Sequence, residues 1–364
     1  MTEQAVAAPI GTARLDFLPR PEGQKKRWRD NLSAVARDGG TLFAADDEHP
    51  AILRLMRGPG RDWRQVGTDP LAALLPGLPG GPDGEMDIEG LDVHSGYLWI
   101  VGSHALARGQ PKRKDDPASG IARLAEVRDD ANRHFLGRIP VVSRSAGPVD
   151  LDTAAPGVEG RDLDVAHLPM QGTGRLVELL GRDEHLGRFV GIPAKENGFD
   201  VEGLAAGEDG RVFLGLRGPV LRGWAVILEL QLVADGSGLL APLPIGDGGR
   251  PYVKHFLDLA GLGLREMARH GDDLLLLAGP TMDIDGPVHV HRWRGTFAGN
   301  AEAMVTAERL GEPVLRLPYG QRRDHAEGMT LLGPDELLVV YDSPADERLA
   351  DDDGLVADVF RLPG

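Results

Sequence analysis

The chain has 364 residues and a formal charge of −16, from 56 acidic residues against 40 basic ones. Such a surface repels phosphate backbones and anionic lipid, so it argues against nucleic acid and membranes as partners. Cysteine is absent, which removes disulfides, thiolate nucleophiles and thiolate metal sites.

The N-terminus lacks a basic start followed by an apolar run, and no apolar stretch approaches the ~20 residues a membrane span needs. A cytoplasmic location is therefore expected. Glycine (50) and proline (27) are abundant without a collagen period, which implies many turns between short strands.

Residues 13–18 read as a lone strand. From Ser33 onward one unit recurs: a short strand opening on a Glu, a tight polar turn, then a strongly apolar strand. Leu32-Ser33-Ala34-Val35 leads through Asp38-Gly39-Gly40 to Leu42-Phe43-Ala44-Ala45, with Ser33 in the Glu position. Asp87-Ile88-Glu89-Gly90-Leu91 leads through His94-Ser95-Gly96 to Tyr97-Leu98-Trp99-Ile100-Val101. Asp200-Val201-Glu202-Gly203-Leu204 leads to Val212-Phe213-Leu214-Gly215-Leu216. Arg265-Glu266-Met267-Ala268 leads to Leu274-Leu275-Leu276-Leu277, and His325-Ala326-Glu327-Gly328-Met329 to Leu337-Leu338-Val339-Val340.

Gly in the turns supplies the positive φ that tight hairpins require. Further strands are expected at residues 51–55, 120–127, 224–232 and 288–293. Four-stranded units arranged radially define a β-propeller. Glu89 and Glu202 stand 113 residues apart, enough for an additional unit. Residues 173–186, with Leu176, Leu179, Leu180 and Leu186 between charges, suit a short amphipathic helix instead. The expectation is an all-β propeller of five blades, six being the alternative. A partly helical insertion occupies residues 145–197, and the N-terminal strand closes the last blade.

In such a ring the starts of the inner strands and the loops after the second strands share one face. Ser33, Glu89, Glu202, Glu266 and Glu327 are then expected around the axis, with Asp46, His104, Arg217 and Asp342 beside them. Crowded carboxylates cannot all stay ionised uncompensated. They share a hard cation, pair with Arg and backbone N–H, or take up protons. Oxygen-only ligands make Ca²⁺ the leading cation, with Ser33, Glu89, Glu202, Glu266 and Glu327 as its ligands. The competing role for the same residues is to latch one blade to the next.

Arg217 ends an apolar strand and could clamp an anion or neutralise a glutamate. His325, two residues before Glu327, is the acid–base candidate. Glu202 and Arg217 complete the expected catalytic set. His104, Asp46, Asp342 and Lys195 are expected to meet substrate. Lys112-Arg113-Lys114 reads as a solvated basic patch.

Gly102-Ser103-His104, Pro193-Ala194-Lys195-Glu196-Asn197-Gly198, the Asp200–Leu204 motif, Leu216-Arg217-Gly218-Pro219 and Leu277-Ala278-Gly279-Pro280-Thr281 together resemble the bacterial family called domain of unknown function 3616. The resemblance runs from about Asn31 to Leu362 and implies no activity. More loosely, the Glu-Gly repeats are similar to phytase-like esterase domains. The Ser-and-Glu set is similar to that of the five-bladed calcium-activated nucleotidases, which implies a central Ca²⁺ here. Two functions compete. One is a metal-dependent hydrolase of a small phosphoester, ester or lactone. The other is a non-catalytic propeller that binds a ligand or protein partner.

Overall fold

The structure is a computed structural model that describes residues 6–19, 27–75, 77–143, 147–157, 162–282, 284–299, 303–320, 322–351 and 353–364. The first strand, β1 (Gly11–Asp16), is followed by a meander of β2 (Leu32–Asp38), β3 (Thr41–Asp46), β4 (Ala51–Arg57) and β5 (Trp63–Pro70). After a helical turn α1 (Leu71–Leu74), the second sheet opens with β6 (Ile88–His94) and β7 (Tyr97–Gly102). The chain then makes an excursion: a small hairpin of β8 (Ala107–Arg108) and β9 (Val127–Arg128) encloses helix α2 (Pro117–Ala125). It returns as β10 (Leu136–Val142), which pairs with β7. The strand expected at residues 120–127 is therefore mostly helix. Asp116 caps α2 through the N–H groups of Ala118 and Ser119, and Pro117 stands at its first position, the local signals that favour a helix there.

Beyond β10 come short strands β11 (Asp150–Leu151), β12 (Ala154–Pro156), β13 (Asp162–Asp164) and β14 (Ala166–His167), then helix α3 (Arg175–Leu180). β11 and β14 add to β10, while β12 and β13 pair with each other. The described part of segment 145–197 thus holds strands as well as the expected helix; residues 145, 146 and 158–161 lie outside the described residues. The third sheet contains β15 (Asp200–Ala206), β16 (Arg211–Gly218), β17 (Trp224–Ala234), β18 (Leu240–Pro242) and β19 (Val253–Asp258). The fourth has β20 (Gly263–His270), β21 (Asp273–Gly279) and β22 (Val288–Trp293). Strand β23 (Ala303–Val305) crosses back beside β19, and β24 (Leu315–Leu317) completes the fourth sheet. The last unit is β25 (His325–Leu331), β26 (Glu336–Asp342), β27 (Leu349–Ala350) and β28 (Gly354–Arg361).

Two features make this a propeller-type, all-β architecture. The innermost strands β2, β6, β15, β20 and β25 neighbour one another in that cyclic order, and β25 returns to β2. The second strands are buried along nearly their whole length because a sheet covers each face; every position of β3 and β7 is buried. That is why their sequences are continuous apolar runs and not alternating ones. Apolar clusters fill the wedges between sheets: Val35 and Leu53 meet Leu338 and Val340 in one, and Trp99 and Val101 meet Leu204 and Leu214 in another. The N-terminal strand closes the structure. β1 runs antiparallel to β28 over six residue pairs and parallel to β5 at Leu15–Trp63 and Asp16–Arg64. No helix among the described residues is long and apolar enough to cross a membrane.

Candidate functional site at the propeller axis

Every inner strand carries a register shift against its second strand at the same place. The pairs Leu32–Asp46 and Ala34–Ala45 skip Ser33; Ile88–Gly102 and Gly90–Val101 skip Glu89. Val201–Leu216 and Gly203–Gly215 skip Glu202, Leu264–Ala278 and Glu266–Leu277 skip Arg265, and Ala326–Tyr341 and Gly328–Val340 skip Glu327. A β-bulge bends the strand and re-aims the extra residue. The ring of bulged residues is therefore Ser33, Glu89, Glu202, Arg265 and Glu327.

This corrects the expectation for Glu266. Its strand is offset by one residue, and in a strand one residue is the difference between opposite faces. Glu266 occupies the position of Gly90, Gly203 and Gly328. It is fully buried between strands, where its Oε1 accepts the N–H groups of Met267 (2.8 Å) and Leu204 (3.3 Å). Burial pushes its carboxyl well above the usual range.

Arg265 changes the chemistry of the ring. Its Nε lies 3.0 Å from Glu202 Oε2, and its Nη2 pairs with Glu327 Oε1, so it joins its two cyclic neighbours. Arg217, bulged from β16 between Asp200–Gly218 and Val201–Leu216, donates to the other oxygen of Glu202 at 2.7 Å. Its Nε is anchored on Thr281 O (3.1 Å). Ser33 Oγ donates to Ile88 O at 2.5 Å, a latch to the neighbouring sheet. Arg133, from a 3-10 turn far off in sequence, holds Asp87 at 3.0 Å and pairs with Glu85.

Glu89 stands apart in this ring. It makes no hydrogen bond or ion pair among the described residues. Burial, and then the charges of Asp87, Glu202, Asp200 and Asp47, hold its carboxyl well above the usual range. Asp200 is raised in the same way, by burial first and then by Glu202.

The expected five-ligand Ca²⁺ set does not form. Glu202 is held by two guanidiniums and Glu327 by one; Glu266 faces away and Ser33 is spent on a carbonyl. Among the described residues no three His, Asp or Glu side chains are disposed to hold a metal ion.

Two adjoining cavities open on this face, of about 830 and 360 Å³, and both reach Arg217, Glu327, Asp342 and Lys195. Glu89, Asp87, Asp200 and Glu202 line the larger one, Arg265 and His325 the smaller. His325 Nε2 lies 3.8 Å from Asp285 Oδ1. Asp342 accepts from Ser343 Oγ at 3.2 Å.

Two residues expected to meet substrate do not line these cavities. Asp46 is buried and tied into its own turn by His49, through the backbone N–H (2.7 Å) and Nδ1 (2.6 Å); its neighbour Asp47 lines the wall instead. His104 is buried beside His134, with 5.8 Å between ring centroids, and neither of its ring nitrogens has a hydrogen-bond partner. Burial, aided by His134, pushes its pKa down to about 3, so it is neutral.

These features define a propeller-type protein with an acidic channel at its axis, compensated by arginines except at Glu89, and two adjoining cavities open on it. The chain belongs to the family described as Protein of unknown function (DUF3616), which matches residues 31–358. No curated protein matches it in sequence. Among solved structures, a Myxococcus xanthus glutaminyl cyclase is similar at 8% identity and a TM-score of 0.38, over 97% of this chain and 99% of that one. The PQQ-bound aldose sugar dehydrogenase of Streptomyces coelicolor is similar at 14% identity and a TM-score of 0.35, over 97% and 100%. A chain of a mitotic checkpoint complex is similar at 11% identity and a TM-score of 0.31; this chain is covered over 92% and spans 64% of that one. Likenesses this distant carry no argument about chemistry.

Proposed function

We propose that the protein is a five-bladed propeller that hydrolyses a small ester or lactone at its axis, with Glu89 as proton donor. Glu89 carries this reading. It is the ring carboxylate without a cation in contact, and burial and neighbouring carboxylates hold it well above the usual range while Arg217 and Arg265 pair with Glu202. A raised carboxyl in a cleft lined by other charged groups is the mark of a candidate acid–base site.

Arg217 and Arg265 line the smaller cavity, where a guanidinium can polarise a carbonyl oxygen. Water adds to the carbonyl carbon and gives its proton to His325. The C–O bond then breaks, and Glu89 protonates the leaving oxygen. A small phosphoester is the variant substrate. A scaffold that binds a ligand or protein partner without turnover is the alternative function.

A panel of lactones, carboxylic esters and phosphoesters tests the proposal. Glu89→Gln should lower turnover at least ~100-fold, as loss of a general acid does, while the circular-dichroism melt stays cooperative. Catalysis needs Glu89 protonated, so kcat/KM should fall as pH rises through its raised pKa. Added Ca²⁺ or a chelator should leave Tm unmoved. Full activity in Glu89→Gln would overturn the assignment, and stabilisation by Ca²⁺ would replace the proton at Glu89 with a cation.

A further inference from the structure

We propose that the substrate carries an anionic group, gripped at the channel mouth by Lys112, Arg128 and Lys195. The proposal rests on the hydrolase reading and names its substrate class. All three side chains line the 830 Å³ cavity, in a chain whose net charge is −16. They come from two segments locked to each other, since Ala194 N–H donates to Leu106 O at 3.0 Å.

The local carboxylates are committed elsewhere. Asp115 accepts Lys112 N–H (2.8 Å) and Arg123 Nε (2.7 Å), which shapes the loop; it feels the charge of the Lys112 ammonium without an ion pair to it. Glu196, next to Lys195, holds Arg108. Glu126, Asp47, Glu48 and Asp342 also line this cavity, and among the described residues none of them forms an ion pair with Lys112, Arg128 or Lys195. Arg128 is positioned by the β8–β9 pairing with Ala107. The mouth therefore offers three exposed cations that form no ion pair among the described residues. Below it, less exposed, lie Glu89, whose carboxyl is held well above the usual range, and a Glu202–Arg265–Glu327 chain. A neutral ester or lactone suits that floor, and an anionic arm suits the rim.

Phosphate and carboxylate share the required chemistry, so inorganic pyrophosphate and citrate serve as probes. Titration calorimetry on the full chain at low salt should detect binding of at least one. Pyrophosphate alone would assign a phosphate, citrate alone a carboxylate. The triple variant Lys112→Gln, Arg128→Gln, Lys195→Gln should weaken binding at least ~10-fold, as loss of charged hydrogen bonds does, and salt should weaken the wild-type signal. These side chains are exposed, so the variant should melt like the wild type. Failure of both anions to bind, or equal binding by the variant, overturns the proposal. Binding is read without turnover, so a silent substrate panel would sink the hydrolase while this titration still decides the anion site.

Discussion

At the scale of single residues, the inner strands are held together by side chains that accept a neighbour's backbone N–H. Asp92 of β6 reaches across to Ala206 N of β15 at 2.7 Å. Burial raises its pKa to about 7, against the lowering effect of the Ala206 and Val93 N–H groups. A raised folded pKa means that the fold binds the proton more tightly than the unfolded chain. The stabilisation is complete below the ordinary carboxyl pKa near 4 and is lost as pH rises towards 7. His104 and His291, with folded values of about 3 and 4, act in the opposite sense: their stabilisation is complete above the ordinary imidazole pKa and is lost as pH falls. Asp92→Asn isolates the carboxyl, because the amide oxygen can still accept from Ala206. The Tm of the variant minus that of the wild type should grow from pH 4 to pH 7. A flat difference across that window would show that Asp92 does not carry the proton.

At the scale of strands, the repeat was legible because the bulge imposes it. An aimed residue, then a small one, then an aliphatic one recur in β2, β6, β15 and β25, and β20 keeps the pattern except for Glu266 in the small position. Counting two residues back from the aliphatic anchors Val35, Leu91, Leu204, Met267 and Met329 gives Ser33, Glu89, Glu202, Arg265 and Glu327. Matching on glutamate instead selects Glu266 and misses Arg265, the residue that neutralises the ring. Arg133 had no such signal, since it arrives from a turn outside the repeat. The excursion between β7 and β10 was equally hidden: α2 is a local, capped helix on no repeated position. The small residue after the bulge has its own cause. A Cβ on Gly90 would lie 2.7 Å from Leu204 Cβ and 2.9 Å from Val101 Cγ1. Gly90→Ala should therefore cost about 1–3 kcal/mol in urea unfolding, as overpacking does. Gly191→Ala, with nothing within 4 Å of the new methyl, should stay within about 0.5 kcal/mol of wild type.

At the scale of the whole molecule, closure depends on a strand contributed by the opposite end of the chain. Among the described residues β1 is the one strand paired with the outer edge of β28, and it also bridges to β5, so the first and last units share one continuous sheet. Ala13, Leu15 and Phe17 are buried in the cluster formed with Leu53, Leu338 and Leu355. Each large side chain of this kind contributes about 1.5–3 kcal/mol when buried. Removing residues 1–18 deletes that apolar contact and leaves β28 as a bare edge, open to pairing with a second copy. The truncated chain should melt at a lower temperature and associate with rising concentration in light scattering. A truncated protein that stays monomeric and melts with the full chain would show that the inner-strand ring, with its Arg265 bridge and interstrand latches, holds the propeller without the closing strand.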